Sequence, residues 1–419
     1  MRFFYNLLTY LLYLPYVGYW LVRGISNRAY LQRLGERLGI GYPRLERCIW
    51  IHAVSVGEVV AAVPLIRALE KRYPDRPMLV TTVTPTGAAR VAAVFGEEVY
   101  HTYIPFETPP MINHFFAATN PEVALILETE IWPNLYRGCG VRGIPLVLVS
   151  ARISPKSVRS YRRLLPLFRE TLSHGIVIAA QSDADAKRFL SLGAAPERTR
   201  VTGNIKFDVE LAPDLPLRGQ ELRSDLFGDR PVWVAASTHE GEEELVFDAH
   251  RILLEKRPDL LLVLVPRHPQ RFQAVRELAA RRAMSVVART EGVPCSAATT
   301  VFLGDTMGEL LLFYAASDVA FVGGSLVPIG GHNLLEPAAL GLPLLSGPHV
   351  FNAQEIADMF VARHACRIVN DSIELADEVA RLLSDAVTAA RMGDAGRDIL
   401  ERNRGALARL LAMIEPLVN

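Results

Sequence analysis

Three carboxylates and one lysine stand where short apolar runs end. Glu58 follows CIWIHAV, Glu128 closes EVALILE with Glu130 two residues on, and Lys206 follows RTRVTGN. The carboxyl ends of buried parallel strands are where α/β sheets bind ligands. A carboxylate there can take a proton from a substrate hydroxyl, an effect that contributes about 10²–10⁴-fold in rate. A lysine beside it can offset negative charge on a departing phosphate or a substrate carboxylate. Glu58 also has a purely structural reading, because Ser55-Val56-Gly57-Glu58 opens a helix and acids are favoured at helix N-termini; the spacing alone leaves both open. Trp132 and Pro133 suit either the wall of an acceptor site or simple packing. Arg152 and Lys156, set among Ser150, Ser154 and Ser157, suit an anionic group or a solvated face.

The stretch VGGSLVPIGGHNLLEPAALGLPLLSGPH, Val322 to His349, carries two glycine pairs, Gly323-Gly324 and Gly330-Gly331. Glycine allows tight turns and close approach of backbone to ligand. AFVGG reads as a strand end and NLLEPAAL as a helix start, so unpaired N–H groups near His332 and Asn333 are expected to face the loop mouth, where a phosphate fits. Asn333, Leu334, Leu335 and Glu336 begin that helix, and the Glu336 carboxylate can accept both hydroxyls of a ribose. The combination suits a nucleotide sugar, and the alternative is a plain strand-to-helix turn. Pro266-Arg267 and Ser237–Gly241 are further strand-end loops with polar tips, and Met307-Gly308-Glu309 opens a helix after TTVFLG. His239, His268 and His332 lack HxH or HExxH spacing, so no metal is expected.

These groups need sheets to hold them. From Cys48 onward, apolar runs alternate with helical patterns, and runs apolar throughout belong to parallel sheets covered on both faces. One series runs to GIVIAAQ and RTRVTGN, and a second through PVWVAAS, LLLVLVP, MSVVAR, TTVFLG, DVAFVGG and LPLLSG. The fold class is therefore α/β, with two Rossmann-like domains facing across a cleft. The expected division is a membrane anchor helix over 1–24, one domain over 25–210, a Pro/Gly-bearing linker over 211–230 and a second domain over 231–419, whose last helix is free to return to the first. Phe3 to Val22 carries no charge and is followed by Arg23, Arg28, Arg33 and Arg37. That flank places the bulk of the protein on the cytoplasmic side, while the tyrosines, Trp20, Pro15 and Gly18 also suit a helix lying in the interface. The chain has 419 residues, 50% of them apolar, and 45 basic against 45 acidic residues, which excludes a nucleic-acid partner recognised through net charge. The four cysteines stand singly, without CxxC spacing, and read as reduced thiols.

Taken in order, HAVSVGE, TVTPTG, ETEIWPNL, SARIS, GNIKFD, STHEGEEE, VPRHP, GDTMGEL, FVGGS and GGHNLLEPAA resemble the 3-deoxy-D-manno-octulosonic acid (Kdo) transferases of lipopolysaccharide assembly over nearly the whole chain. The resemblance implies a GT-B glycosyltransferase at the inner membrane, facing the cytoplasm. It would transfer Kdo from CMP-Kdo to a lipid A precursor, lipid IVA, with inversion and without a metal or other cofactor. It implies Glu58 as the group that activates the acceptor hydroxyl, and Glu128 and Lys206 as transition-state stabilisers. CMP would be held by Pro266, Arg267, Met307, Gly308, Glu309, Asn333, Leu334, Leu335 and Glu336. The loop Leu326–Ile329 departs from the family by lacking a charged residue, so no loop side chain is assigned to a ligand. A GT-B enzyme with a uridine diphosphate sugar and a non-catalytic sugar-binding protein are the alternatives. The tethered lipid acceptor makes Arg23, Arg28, Arg33, Arg37 and Lys156 candidates for its phosphates. A chain starting at Arg28 is expected to keep its chemistry on dispersed acceptor and to lose turnover on membranes.

Overall fold

The computed structural model describes residues 2–418, which form two compact units: residues 2–208 with 403–418, and Val209–Arg402. In the first, β1 (Cys48–His52), β2 (Met78–Thr82), β3 (Tyr100–Tyr103), β4 (Pro121–Leu127), β5 (Leu146–Ala151), β6 (Val177–Ala180) and β7 (Thr199–Val201) form one parallel sheet of order β3-β2-β1-β4-β5-β6-β7. Alternate strand residues feed two cores. Trp50, Leu79, Ala124 and Ile126 pack on one side, and Ile49, Ile51, Val80, Val123 and Leu125 on the other. Both faces are covered, which is why the strands read as unbroken apolar runs.

The second unit repeats the plan with β8 (Val232–Thr238), β9 (Leu261–Pro266), β10 (Val286–Ala288), β11 (Val301–Leu303), β12 (Val319–Val322), β13 (Leu344–Ser346) and β14 (Cys366–Ile368), in the order β10-β11-β9-β8-β12-β13-β14. In each sheet the order reverses beside the first strand, at β1/β4 and at β8/β12, the switch points where doubly wound folds bind ligands.

Chain continuity between the units differs from a simple linker. Residues 211–230 fold onto the second unit as the helix Leu215–Leu222 and a wide turn over Arg223–Phe227. Leu215, Leu222 and Phe227 are buried, Gly219 abuts Ala315, and Arg223 forks onto Asp318 at 2.8 and 2.9 Å. Of the prolines and glycines that suggested a linker, Pro216 falls in the helix's first turn, Gly219 is a close-packing site and Gly228 is the C-cap of the wide turn. At the far end, the helix Ala406–Ile414 buries Ala406, Leu410 and Ile414 in the first unit's core. Asp208 caps its start by accepting from the Gly405 and Leu407 N–H groups at 2.6 and 2.5 Å.

Among the described residues no helix is long and apolar enough to cross a membrane, so the anchor helix expected over 1–24 is corrected in its spanning form. The helix Arg2–Ser26 is present, but its tyrosines, Asn6 and Thr9 dilute the apolar run, and one side of it is docked. Tyr5 donates to Glu107, Tyr16 stacks on Phe106 at 4.3 Å, and Trp20 lies 4% exposed. Arg37, expected among the lipid-facing cations, is instead fully buried, its guanidinium 3.9 Å from the Trp20 ring centroid and 3.8 Å from that of Tyr103. Desolvated stacks of this kind contribute about 2 kcal/mol or more. The outward side of the helix exposes Phe3, Phe4, Leu11, Leu14, Val22 and Ile25.

Candidate active site

In the first unit, Glu58 and Glu128 follow β1 and β4 at the switch point. Ser55 caps the helix Val56–Arg72, its hydroxyl accepting from the Glu58 N–H at 3.4 Å. The Glu58 carboxylate in turn accepts from the Val54 N–H at 2.8 Å and the Ser55 hydroxyl at 3.1 Å. The structural role is therefore real, close to a capping box, and it also fixes the carboxyl's direction. Burial, helped by the charges of Glu128 and Glu130, pushes that carboxyl up to about 7 against the opposing hydrogen bonds from Val54 and Ser55. A group that titrates near neutrality and is held by two donors has the properties of a general base.

Glu128 adopts a left-handed backbone conformation, φ 55°, which costs energy for a non-glycine residue and often marks functional positions. Its carboxylate binds Lys206 Nζ at 2.8 Å and Arg152 Nε at 3.3 Å. Burial raises the Glu128 carboxyl, but the two cations outweigh it and the net shift is downward. Lys206 sits in the single turn Ile205–Phe207, where Asn204 accepts from its N–H at 3.0 Å. Glu130 accepts from Trp132 Nε1 at 2.8 Å and is raised, chiefly by burial. Glu58, Glu128, Glu130, Lys206 and Arg152 thus form one electrostatic cluster. Ser154 is diverted into capping the helix Pro155–Tyr161, and Ser150 accepts from the Ile205 N–H at 3.2 Å.

The second unit corrects the reading of the glycine loop. The N–H groups of Gly324, Ser325 and Leu326 converge as a phosphate cradle would require, yet they are already taken. The fully buried Glu242 carboxylate accepts from them at 2.6, 2.9 and 2.9 Å, and from the His239 N–H at 3.3 Å. A carboxylate fills an anion nest of the protein's own making. Sequence reasoning passed over Glu242 because it lies among Glu240, Glu243 and Glu244, a run that reads as a charged helix start. Nor does the following helix form a long phosphate-facing element, since Leu335–Ala339 is only five residues and Asn333 Oδ1 caps the Leu335 N–H at 3.0 Å. Leu334 and Leu335 have buried side chains, so packing is their visible role.

Three histidines the spacing failed to unite do meet. His239 and His332 stack at 5.0 Å with their Nε2 atoms 2.8 Å apart, and His268 lies edge-on to His239 at 5.2 Å. Burial first, then the neighbouring His239, Arg267 and His268, push His332 down to about 3, so this cluster is a set of neutral rings. Among the described residues no group of His, Cys, Asp or Glu is placed to hold a metal ion. Arg267 follows β9, its N–H donating to Thr238 O at 3.0 Å. Gly308 turns with φ 85°, while Met307 is exposed. Glu309 receives a forked Arg289 at 3.1 and 3.0 Å. Glu336 is half-buried and its charge reaches Tyr314. These groups all lie at carboxyl ends of β8, β9, β11 and β12 or in the segments that follow them.

Comparison with known proteins agrees with this plan. Residues 32–209 match the family model described as 3-Deoxy-D-manno-octulosonic-acid transferase (kdotransferase), and 229–399 match Glycosyl transferases group 1. The 3-deoxy-D-manno-octulosonic acid transferase of Haemophilus influenzae is 42% identical over 99% of this chain and 98% of its own. That of Bordetella pertussis is 38% identical over 88% and 86%. In fold, the chain is similar to UDP-GlcNAc 2-epimerase from Neisseria meningitidis, with a TM-score of 0.55 at 15% identity, covering 88% of this chain and 100% of that one. With two parallel-sheet Rossmann-like units, a GT-B-type plan and this extent of identity, the chain belongs to the 3-deoxy-D-manno-octulosonic acid transferase family.

Proposed function

We propose that the protein transfers Kdo from CMP-Kdo to the hydroxyl of a lipid A precursor, lipid IVA, with inversion at the anomeric carbon and no metal in the chemical step. The observation that carries this reading is Glu58, a carboxyl pushed up to about 7 at a sheet switch point, beside the Glu128–Lys206 pair. Glu58 takes the acceptor's proton as its oxygen forms the new bond to the anomeric carbon. The bond from that carbon to the phosphate oxygen breaks, and CMP departs with the electron pair. Lys206, aimed by Glu128, offsets negative charge in the transition state. In the second unit, Arg267 is the partner for the single phosphate and Glu336 for the ribose hydroxyls. Pro266, Met307, Gly308, Glu309, Asn333, Leu334 and Leu335 complete the nucleotide's surroundings.

The exposed apolar side of the helix Arg2–Ser26 supports placing it in the membrane interface rather than across it. The catalytic units then lie on the cytoplasmic face of the inner membrane. The deciding assay supplies CMP-Kdo generated in situ and tetraacylated lipid A precursor, and resolves products by mass spectrometry. Added Kdo is the expected result, with CMP and not UDP raising the protein's melting temperature. Protein that is protected by CMP but adds no Kdo would overturn the acceptor or the sugar, and protection by UDP instead would overturn the donor.

A further inference from the structure

Glu107 takes no part in the reaction above, yet it joins the N-terminal helix to the helix that follows the Glu128 loop. It lies in the loop between β3 and the helix Pro109–Thr119, 6% exposed. One carboxylate oxygen accepts from the N–H groups of Asn134 and Leu135 at 2.6 and 3.3 Å. These amides are in the first turn of the helix Pro133–Arg142, whose own N-cap residue, Trp132, supplies no capping bond. The Asn134 side chain donates back to the Glu107 carbonyl at 2.9 Å. The other carboxylate oxygen accepts from the Tyr5 hydroxyl of the N-terminal helix. The neighbouring Phe106 is held by the same helix through Tyr16 and Tyr13. On the far side of the cap, the loop presenting Glu128 and Glu130 runs directly into Trp132, and Tyr136 of the capped helix donates to the Glu130 carbonyl at 3.0 Å.

We infer that Glu107 is a positioning residue for transfer: by binding Tyr5 on one side and the Asn134 and Leu135 amides on the other, it makes docking of the N-terminal helix a condition for the correct geometry of the Glu128–Trp132 loop. The inference rests on the assignment of that loop to the reaction. Its physical basis is that a buried carboxylate accepting on both oxygens holds its partners rigidly, whereas a helix start left uncapped in a buried setting relaxes to find other partners. Catalytic groups need support of this kind to stay within about 0.5 Å of productive geometry.

The test uses the full chain in detergent with CMP-Kdo and the tetraacylated acceptor, and reads kcat, KM and amide hydrogen exchange at Asn134 and Leu135. Tyr5→Phe is expected to lower kcat by about three- to tenfold, the worth of roughly one hydrogen bond, with KM for both substrates unchanged and the two amides exchanging faster. Glu107→Ala should exceed that loss, while Glu107→Gln, which keeps an oxygen for the two amides, should restore most of the rate and slow exchange. Unchanged melting temperature with CMP in all three separates this from unfolding of the donor-binding unit. Wild-type kcat in Tyr5→Phe and Glu107→Ala, a loss confined to acceptor KM, or slow exchange at both amides in Tyr5→Phe would each overturn the inference. Absence of transfer by the wild-type chain would strike the proposed function instead, and the exchange at Asn134 and Leu135 would still decide the coupling.

Discussion

Glu58 carries two loads in one position, because the carboxylate that closes the helix cap is also the one assigned to the acceptor's proton. Its acidity follows from that placement, since burial and the nearby Glu128 and Glu130 disfavour the charged form while Val54 and Ser55 only partly restore it. A base must be deprotonated to act, so activity should fall as pH drops through about 7. The Glu58→Gln variant keeps an acceptor for the Val54 N–H and removes the proton acceptor. It should lose about 10²-fold or more in kcat, and the acid limb of the residual rate should no longer lie near neutrality. A pH–rate profile of both proteins checks this; an unshifted limb in the variant would assign the ionisation elsewhere. The role proposed for Lys206 is different, since Glu128 holds it at 2.8 Å and it takes no proton from the acceptor. Lys206→Met should therefore lower kcat by about 10²-fold, as loss of one preorganised charge-stabilising group does, while leaving the acid limb in place.

At the scale of elements, Glu242 is the residue on which the glycine loop depends. Four backbone N–H groups point at it, and Gly323 has its own constraint, as a Cβ there would stand 2.7 Å from the Glu242 carboxylate and 2.9 Å from Ala236 O. Glu242→Ala leaves those donors buried and unmet at a cost of about 1–3 kcal/mol for each group. Urea unfolding should show the second unit weakened by several kcal/mol, with CMP protection lost; a variant as stable as the parent would mean the loop finds other acceptors. The N-terminal helix requires a similar revision. A chain starting at Arg28 would strip Trp20 and Tyr16 from Arg37 and Phe106 and leave Glu107 without Tyr5. It is now expected to lose stability in the first unit, and activity on dispersed acceptor as well as on membranes, which a melting curve beside both assays measures. What the sequence made legible follows the same physics. Strands buried on both faces, such as CIWIH and VWVAAST, announce themselves as apolar runs. The edge strands β3, YHTY, and β14, CRI, do not, because they are only 4 and 3 residues long and mix polar with apolar side chains. The placement of Glu58, Glu128 and Lys206 after β1, β4 and β7 was visible because strand ends are readable. Glu242, Glu107 and the capping role of Asp208 were not, because each works on backbone amides distant in sequence, and no local spacing encodes such a pairing.

The two units share a topology but not an ionic balance, and this separates their responses to acid. In the second unit burial holds His250 down to about 4 and His332 to about 3, and lowers His239 and His268. Glu243 is raised there, again through burial. In the first unit His52 is held at about 4, His101 at about 3 and His174 is lowered, but Glu58 and Glu107 are pushed up to about 7 and Glu130 is raised. A histidine whose folded value lies below its unfolded 6.5 binds its proton more readily when unfolded, so its stabilising effect is present above 6.5 and lost as pH falls. A carboxyl with a raised folded value does the reverse, binding its proton more readily when folded and favouring the folded state below about 7. In the first unit the two sets oppose each other between pH 6.5 and 4.5, whereas in the second the histidines prevail. Acidification from pH 7 to 5 should therefore weaken the second unit more than the first. Amide exchange, corrected for the intrinsic rate at each pH, should show protection lost in β8, β9 and β12 while β1, β4 and β5 keep theirs. Loss of protection in the first unit ahead of the second would show that the raised carboxyls do not offset the buried histidines. Glu58 and Glu107 would then have to titrate nearer the ordinary carboxylate range, with the acid limb of the pH–rate profile displaced to match.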